Sequence, residues 1–156
     1  MSGRQALHTR EQFSFFAHTP IESAWSLFGA EGERVWAPGW DPRFIWPHEP
    51  LDQQGMVFRI SHELGLAIWV NTLFDRAAKR IQYVYVIPDV VVTVISLRLS
   101  ASGQATQVEV IYERTALSES AAGRVRDMAE GDRSAGEEWR RQIDCYLRRV
   151  QGPVLS

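Results

Sequence analysis

Two polar side chains fall where the hydrophobic pattern calls for apolar ones, and both are of types that move protons. Asp132 lies in the middle of an apolar stripe on a long C-terminal helical segment, and His62 ends the strand face formed by Met56, Phe58 and Ile60. An ionised carboxylate buried without a partner is costly, so Asp132 must be paired or have a raised pKa. If both side chains point inward, imidazole and carboxyl are an acid and a base for an aldol cyclisation or a dehydration, in which a proton leaves a carbon next to a carbonyl. Plainer readings stand beside this one. His62 can be a hydrogen-bonded histidine at a strand end, and Asp132 can cap a new segment beyond a bend at Gly131 or reach solvent.

Other catalytic signatures are absent. His62-Glu63-Leu64-Gly65-Leu66 begins like a zinc-protease helix but carries Leu66 where the second histidine is needed. The histidines at 8, 18, 48 and 62 share no ligand spacing, so neither a metal nor any other cofactor is expected. Cys145 is the single cysteine, which permits no intrachain disulfide, and it reads as an ordinary thiol.

Charge narrows the partners. With 17 basic against 19 acidic residues and a net charge of −2, bulk electrostatics do not point to nucleic acid. The most apolar run, Val90 to Ile95, is far short of the roughly 18–20 residues that span a bilayer, so stable membrane insertion is not expected. The start of the chain shows no signal-peptide apolar region, and the cytoplasm is the expected location. No pattern specifies an oligomeric state. A chain of 156 residues without a Gly/Ser/Pro-rich linker is read as one domain, residues 1–156. Six tryptophans in such a chain call for a packed core or an aromatic-lined pocket.

The elements that must position these residues follow from periodicity. Phe13, Phe15 and Ala17 alternate with polar residues as in a half-buried strand. Thr19 as N-cap, Pro20 at the first helical position and Glu22 closing a capping box predict a short helix carrying Ile21, Ala24, Trp25 and Phe28 on one stripe. A second short helix is expected around 32–37, ending in the turn Ala37-Pro38-Gly39-Trp40-Asp41-Pro42. From 43 to 115 the pattern is of strands joined by connections too short for a crossover helix, hence antiparallel. After Ser118, a long helix to about Val150 places Ala121, Val125, Met128, Asp132, Ala135, Trp139, Ile143, Tyr146 and Val150 in one stripe, with Gly131 and Gly136 weakening its middle and marking a candidate bend. Such a stripe must lie on an apolar surface, and the sheet is the one large enough, giving an α+β fold.

This order of elements, with Ile21-Glu22-Ser23-Ala24-Trp25, Trp36-Ala37-Pro38-Gly39-Trp40-Asp41-Pro42, Arg80-Ile81-Gln82-Tyr83-Val84-Tyr85-Val86 and the segment from Val110 to Ser118, resembles the polyketide cyclase/dehydratase and START-like superfamily, which shares the helix-grip fold of the major birch pollen allergen. The resemblance implies a curved seven-stranded antiparallel sheet wrapped around the long C-terminal helix, with two short helices after the first strand. It further implies a cavity between sheet and helix for a small hydrophobic molecule. Small or medium side chains such as Val125 and Ala135 can leave space for it, and the expected ligand contacts are Trp36, Trp40, Phe58, Trp69, Tyr83, Tyr85, Tyr112, Met128 and Trp139. Alternatives from other classes are a cyclase or dehydratase enzyme using His62 and Asp132, and a protein-interaction module resembling the co-chaperone branch of the fold.

Overall fold

The computed structural model describes residues 5–151. Strand β1 (His8–Ala17) turns Phe13, Phe15 and Ala17 inward, as its alternation requires, and leaves Phe16 exposed. Six more strands follow: β2 (Arg43–Trp46), β3 (Val57–His62), β4 (Gly65–Asp75), β5 (Arg80–Ile87), β6 (Val91–Ser102) and β7 (Ala105–Ala116). These six form an antiparallel meander. Strand β1 closes the far side by pairing with β7, which gives the order β1-β7-β6-β5-β4-β3-β2. Bulges between Phe44 and Trp46 and between Asn71 and Leu73 shift the register, and bulges bend and twist the strands that carry them. The inner face of the sheet carries Tyr83 and Tyr85 from β5, Thr93, Ile95 and Leu97 from β6, and Val108, Val110 and Arg114 from β7.

The segment between β1 and β2 departs from local expectation. Helix α1 (Ile21–Trp25) has Pro20 at its cap position and no side-chain cap. Thr19 is buried instead, and its carbonyl accepts the Thr106 hydroxyl at 2.8 Å, so a contact with β7 takes the residue that local pattern assigned to capping. Glu22 closes no capping box; it pairs with Lys79 at 2.8 Å and Arg76 at 3.3 Å. The apolar side of the segment holds, with Ala24, Trp25 and Phe28 buried. The second short helix is reduced to one 3-10 turn, Gly32–Val35. Pro38 disfavours helical backbone at Ala37 and so limits its length.

Helix α2 (Ala122–Gln151) packs mainly on β1 and β7. Ser118 precedes it and accepts the Ala121 amide on its hydroxyl at 3.2 Å, capping the turn that leads in. The buried line is Val125, Ala129, Asp132, Gly136, Ile143 and Leu147, a slight rotation from the expected stripe, with Met128, Ala135, Trp139 and Tyr146 half-buried beside it and Val150 exposed. The helix is unbroken at both glycines. Gly136 instead permits close approach, since a Cβ there would sit 2.8 Å from the Phe13 ring. Among the described residues, no helix is long and apolar enough to cross a membrane.

Candidate functional site

The turn after the 3-10 segment is lashed down by its own tryptophans. Trp36 donates its indole N–H to the Leu27 carbonyl at 2.6 Å, and Trp40 donates to the Ala30 carbonyl at 2.8 Å. Both indole donors are thereby satisfied, and the rings present carbon surface to their neighbours. Trp36 meets Trp139 of α2 with ring centroids 5.5 Å apart, while Trp40 stands perpendicular to Trp69 of β4 at 5.4 Å. Tyr85 stacks on one face of Trp69 at 4.5 Å and Phe58 on the other at 5.5 Å, which fixes the plane of the indole.

These rings border a half-open cavity of about 190 Å³, walled by Trp36, Trp40, Trp69, Tyr83, Tyr112 and Trp139 together with Glu33, Ala37, Pro38, Ile95, Leu97 and Gln142. For scale, an apolar protein cavity of about 150 Å³ holds benzene, so this one suits a molecule of one or two rings. The Trp69 indole nitrogen and the Tyr83 hydroxyl are buried within its walls, the hydroxyl beside the Asn71 side chain and the Ala30 backbone. Asn71, paired across the strands with Tyr83, is fully buried next to it.

Glu33 is the acidic wall. Its backbone is set by the 3-10 turn, with its N–H on the Gly29 carbonyl at 3.0 Å and its own carbonyl accepting the Ala37 amide at 2.9 Å. Behind it, Asp52 accepts the amides of Glu31 at 3.0 Å and Gly32 at 3.2 Å. Gly29 makes room for that carboxylate: its φ is +114°, and a Cβ there would lie 2.5 Å from Asp52 Oδ2. Desolvation, added to the nearby Asp52 charge, pushes the Glu33 carboxyl up to about 8 against an opposing Gly29 N–H. Burial raises Asp52 as well, with the Glu31 and Gly32 amides acting in the other direction. Tyr83 is raised by burial and then by Glu33 and Asp52, and Tyr112 is raised chiefly by burial, so both remain neutral phenols. Glu33 is therefore a largely protonated acid at pH 7, next to Asp52, which accepts two backbone N–H groups.

The structure separates the other expected residues. Asp132 is inside the unbroken α2 and is paired: Arg114 donates to both of its carboxylate oxygens at 2.8 Å. A third guanidinium nitrogen, Nη1, donates to the Tyr85 hydroxyl at 2.7 Å and to Thr93 at 3.1 Å, and the guanidinium lies over the Tyr112 ring at 4.8 Å. This buried network fastens helix to sheet and leaves Asp132 no oxygen directed at the cavity. His62 stands at the β3–β4 turn, where its Nδ1 accepts the Leu64 amide at 3.0 Å. His62 and Asp132 are not brought together, and neither borders the cavity. Phe58 and Tyr85 flank the two faces of Trp69 rather than lining the space, and Met128 sits on α2 outside it. Val125 and Ala135 do not border it either, because the cavity faces Trp139 and Gln142, further along α2.

A larger open groove of about 820 Å³ runs between Gln5 to His8 and the start of α2, but no Trp, Tyr or Phe and no buried ionisable group lines it. Among the described residues, no group of His, Cys, Asp and Glu is arranged to hold a metal ion.

No protein-family model and no curated protein sequence matches the chain. Solved structures do. A truncated norcoclaurine synthase from Thalictrum flavum superposes with a TM-score of 0.70 at 9% identity, covering 98% of this chain and 100% of that one. The chain has the helix-grip fold. The same enzyme in complex with dopamine and hydroxybenzaldehyde matches with a TM-score of 0.67 at 10% identity, over 99% of this chain and 97% of that one. The helix-grip protein Ara h 8.0201 matches with 0.59 at 11% identity, over 85% and 97%. An uncharacterised protein from Rhizobium leguminosarum matches with 0.62 at 16% identity, over 93% and 97%. At these identities the shared property is the helix-grip architecture, and the chemistry must be argued from this chain's own residues.

Proposed function

We propose that this helix-grip protein binds a small, largely apolar molecule of one or two rings between the sheet and α2. The observation that carries the reading is the aromatic lining itself: six ring-bearing side chains around about 190 Å³, with Glu33 as the acidic group among them. A mostly apolar concave site with a few placed polar groups is the usual form of a small-molecule site. That a protein of the same fold forms a complex with two single-ring aromatic compounds, dopamine and hydroxybenzaldehyde, agrees with the size.

Native mass spectrometry of protein purified from its source tests this. A retained small molecule in the native chain, absent from a folded cavity-filling Leu97→Trp variant, is expected. Absence of any retained molecule, together with one- and two-ring aromatics that leave the thermal midpoint unmoved, would refute the reading.

A second reading, an enzyme that moves a proton on a carbonyl compound, is favoured by one feature: a carboxyl with a pKa of about 8 on the cavity wall is matched to acid and base work near neutral pH. Glu33 then holds the role first assigned to His62 and Asp132. Incorporation of deuterium from ²H₂O next to the carbonyl of small cyclic ketones, lost in Glu33→Gln, is the expected signature. Equal incorporation in the variant would exclude it.

A further inference from the structure

We propose that the ligand of this cavity carries an organic cation, an alkylated ammonium group held beside the Glu33 carboxyl within the box formed by Trp36, Trp40, Trp69 and Trp139. The proposal rests on the ligand-binding reading and narrows the ligand's chemical class.

Three observations converge. The first is charge: Glu33 is the sole ionisable acid or base other than the phenols among the described residues lining the cavity, and no Lys, Arg or His joins it. Arg114, which packs over the Tyr112 ring, is committed to Asp132, Tyr85 and Thr93. An anionic ligand thus meets no counter-charge, whereas a cation meets a carboxyl that it can hold in the ionised form. The groups facing Glu33 from the other elements are Asp52, Tyr83 and Tyr112, an acid and two neutral phenols, so the surrounding field is negative.

The second is the walls. Indole faces attract cations more strongly than other rings, and the attraction grows when water is excluded. Trp36 and Trp40 spend their N–H groups on the Leu27 and Ala30 carbonyls, which leaves carbon faces rather than donors toward the cavity. Trp36 and Trp139 stand at 58°, and Trp40 stands at 87° to Trp69, whose own faces are covered by Tyr85 and Phe58, so a roughly spherical alkylammonium meets ring surface from Trp36, Trp40 and Trp139.

The third is the cost of the isolated acid. A carboxylate desolvated at this depth is unfavourable, and burial already drives Glu33 toward its neutral form. A cation entering beside it restores the ionised form and supplies the counter-charge that the fold does not.

The test uses the full chain and two probes of matched shape: benzyltrimethylammonium, whose charge is independent of pH, and neopentylbenzene, its neutral carbon counterpart. Binding is followed by tryptophan fluorescence and by NMR from pH 6 to pH 9. At pH 9 the cation is expected to bind at least about tenfold more tightly than the neutral probe, with the preference falling toward pH 6 as Glu33 takes up its proton. Glu33→Gln is expected to lose the pH dependence and about tenfold in cation affinity while holding the neutral probe unchanged. A neutral probe that binds as well as the cation at pH 9, or a Glu33→Gln protein that keeps the cation preference, would overturn the proposal and leave the apolar-cavity reading standing. Failure of both probes to bind overturns the two readings together. The comparison of probes in the unmodified protein decides the matter even if the variant does not fold.

Discussion

Replacing Glu33 by Gln should make the empty protein more stable at neutral and alkaline pH and leave it nearly unchanged in acid. The carboxyl is buried and its pKa rises from 4.5 to about 8 on folding, so the folded state holds the proton more tightly than the unfolded chain. The stability associated with that proton is fully present below pH 4.5 and is lost as pH rises through 8. At about 1.4 kcal/mol per unit, the loss reaches about 3 kcal/mol at pH 7 and about 5 kcal/mol above pH 8, a large part of a small domain's stability. Gln matches Glu in shape and cannot ionise, so it does not carry this dependence. Urea unfolding of both proteins, followed by tryptophan fluorescence from pH 4 to pH 9, isolates the effect as a difference between two curves in which the remaining carboxylates largely cancel. The difference should grow from near zero at pH 4 in favour of the variant. A difference that stays constant with pH, or a native protein that is the more stable at pH 9, would refute the assignment of Glu33 as a desolvated acid.

Three further outcomes follow from the same geometry. Arg114→Met leaves Asp132 buried without its partner and should cost about 3–5 kcal/mol, much of which Arg114→Met combined with Asp132→Leu should recover; equal loss in both proteins would show that packing, not the stranded charge, dominates. Gly131→Ala meets open space and should raise stability by about 0.5–1 kcal/mol, whereas the same change at Gly136 drives a Cβ to 2.8 Å from Phe13 and should lower the melting temperature, so a shift of the same sign at both sites would contradict the close approach of α2 to β1. Asp52→Asn keeps an acceptor for the Glu31 and Gly32 amides but removes the charge beside Glu33, so in that background the stability gap opened by Glu33→Gln should level off at lower pH and be smaller; an unmoved gap would mean that desolvation alone sets the Glu33 pKa.

Much of the architecture was legible in the chain because strands and helices bury faces with different periods. Phe13, Phe15 and Ala17 declared β1, and Val125, Ile143 and their half-buried neighbours declared α2. Local capping rules failed at Thr19 and Glu22 because β7, Arg76 and Lys79 offered these residues other partners. The aromatic walls Trp36, Trp40, Trp69, Tyr83, Tyr112 and Trp139 could be named in advance, since large rings on inward positions must meet somewhere. Glu33 carries a sequence signal of its own: Glu33, Trp36, Ala37 and Trp40 recur at the spacing of one helical face. Arg114 carried a similar signal, lying on the same strand face as Val108, Val110 and Tyr112.

What the chain determined by itself is therefore periodic: which residues face inward on each element, and that rings would be abundant there. Which acid is stranded and which is paired was decided by tertiary structure alone. Asp132 finds Arg114 across the helix–sheet interface, and Asp52 reaches across to the Gly29 loop to place a negative charge behind Glu33. Desolvation and charge pairing depend on what other elements bring within a few ångströms, and no local pattern contains that distance.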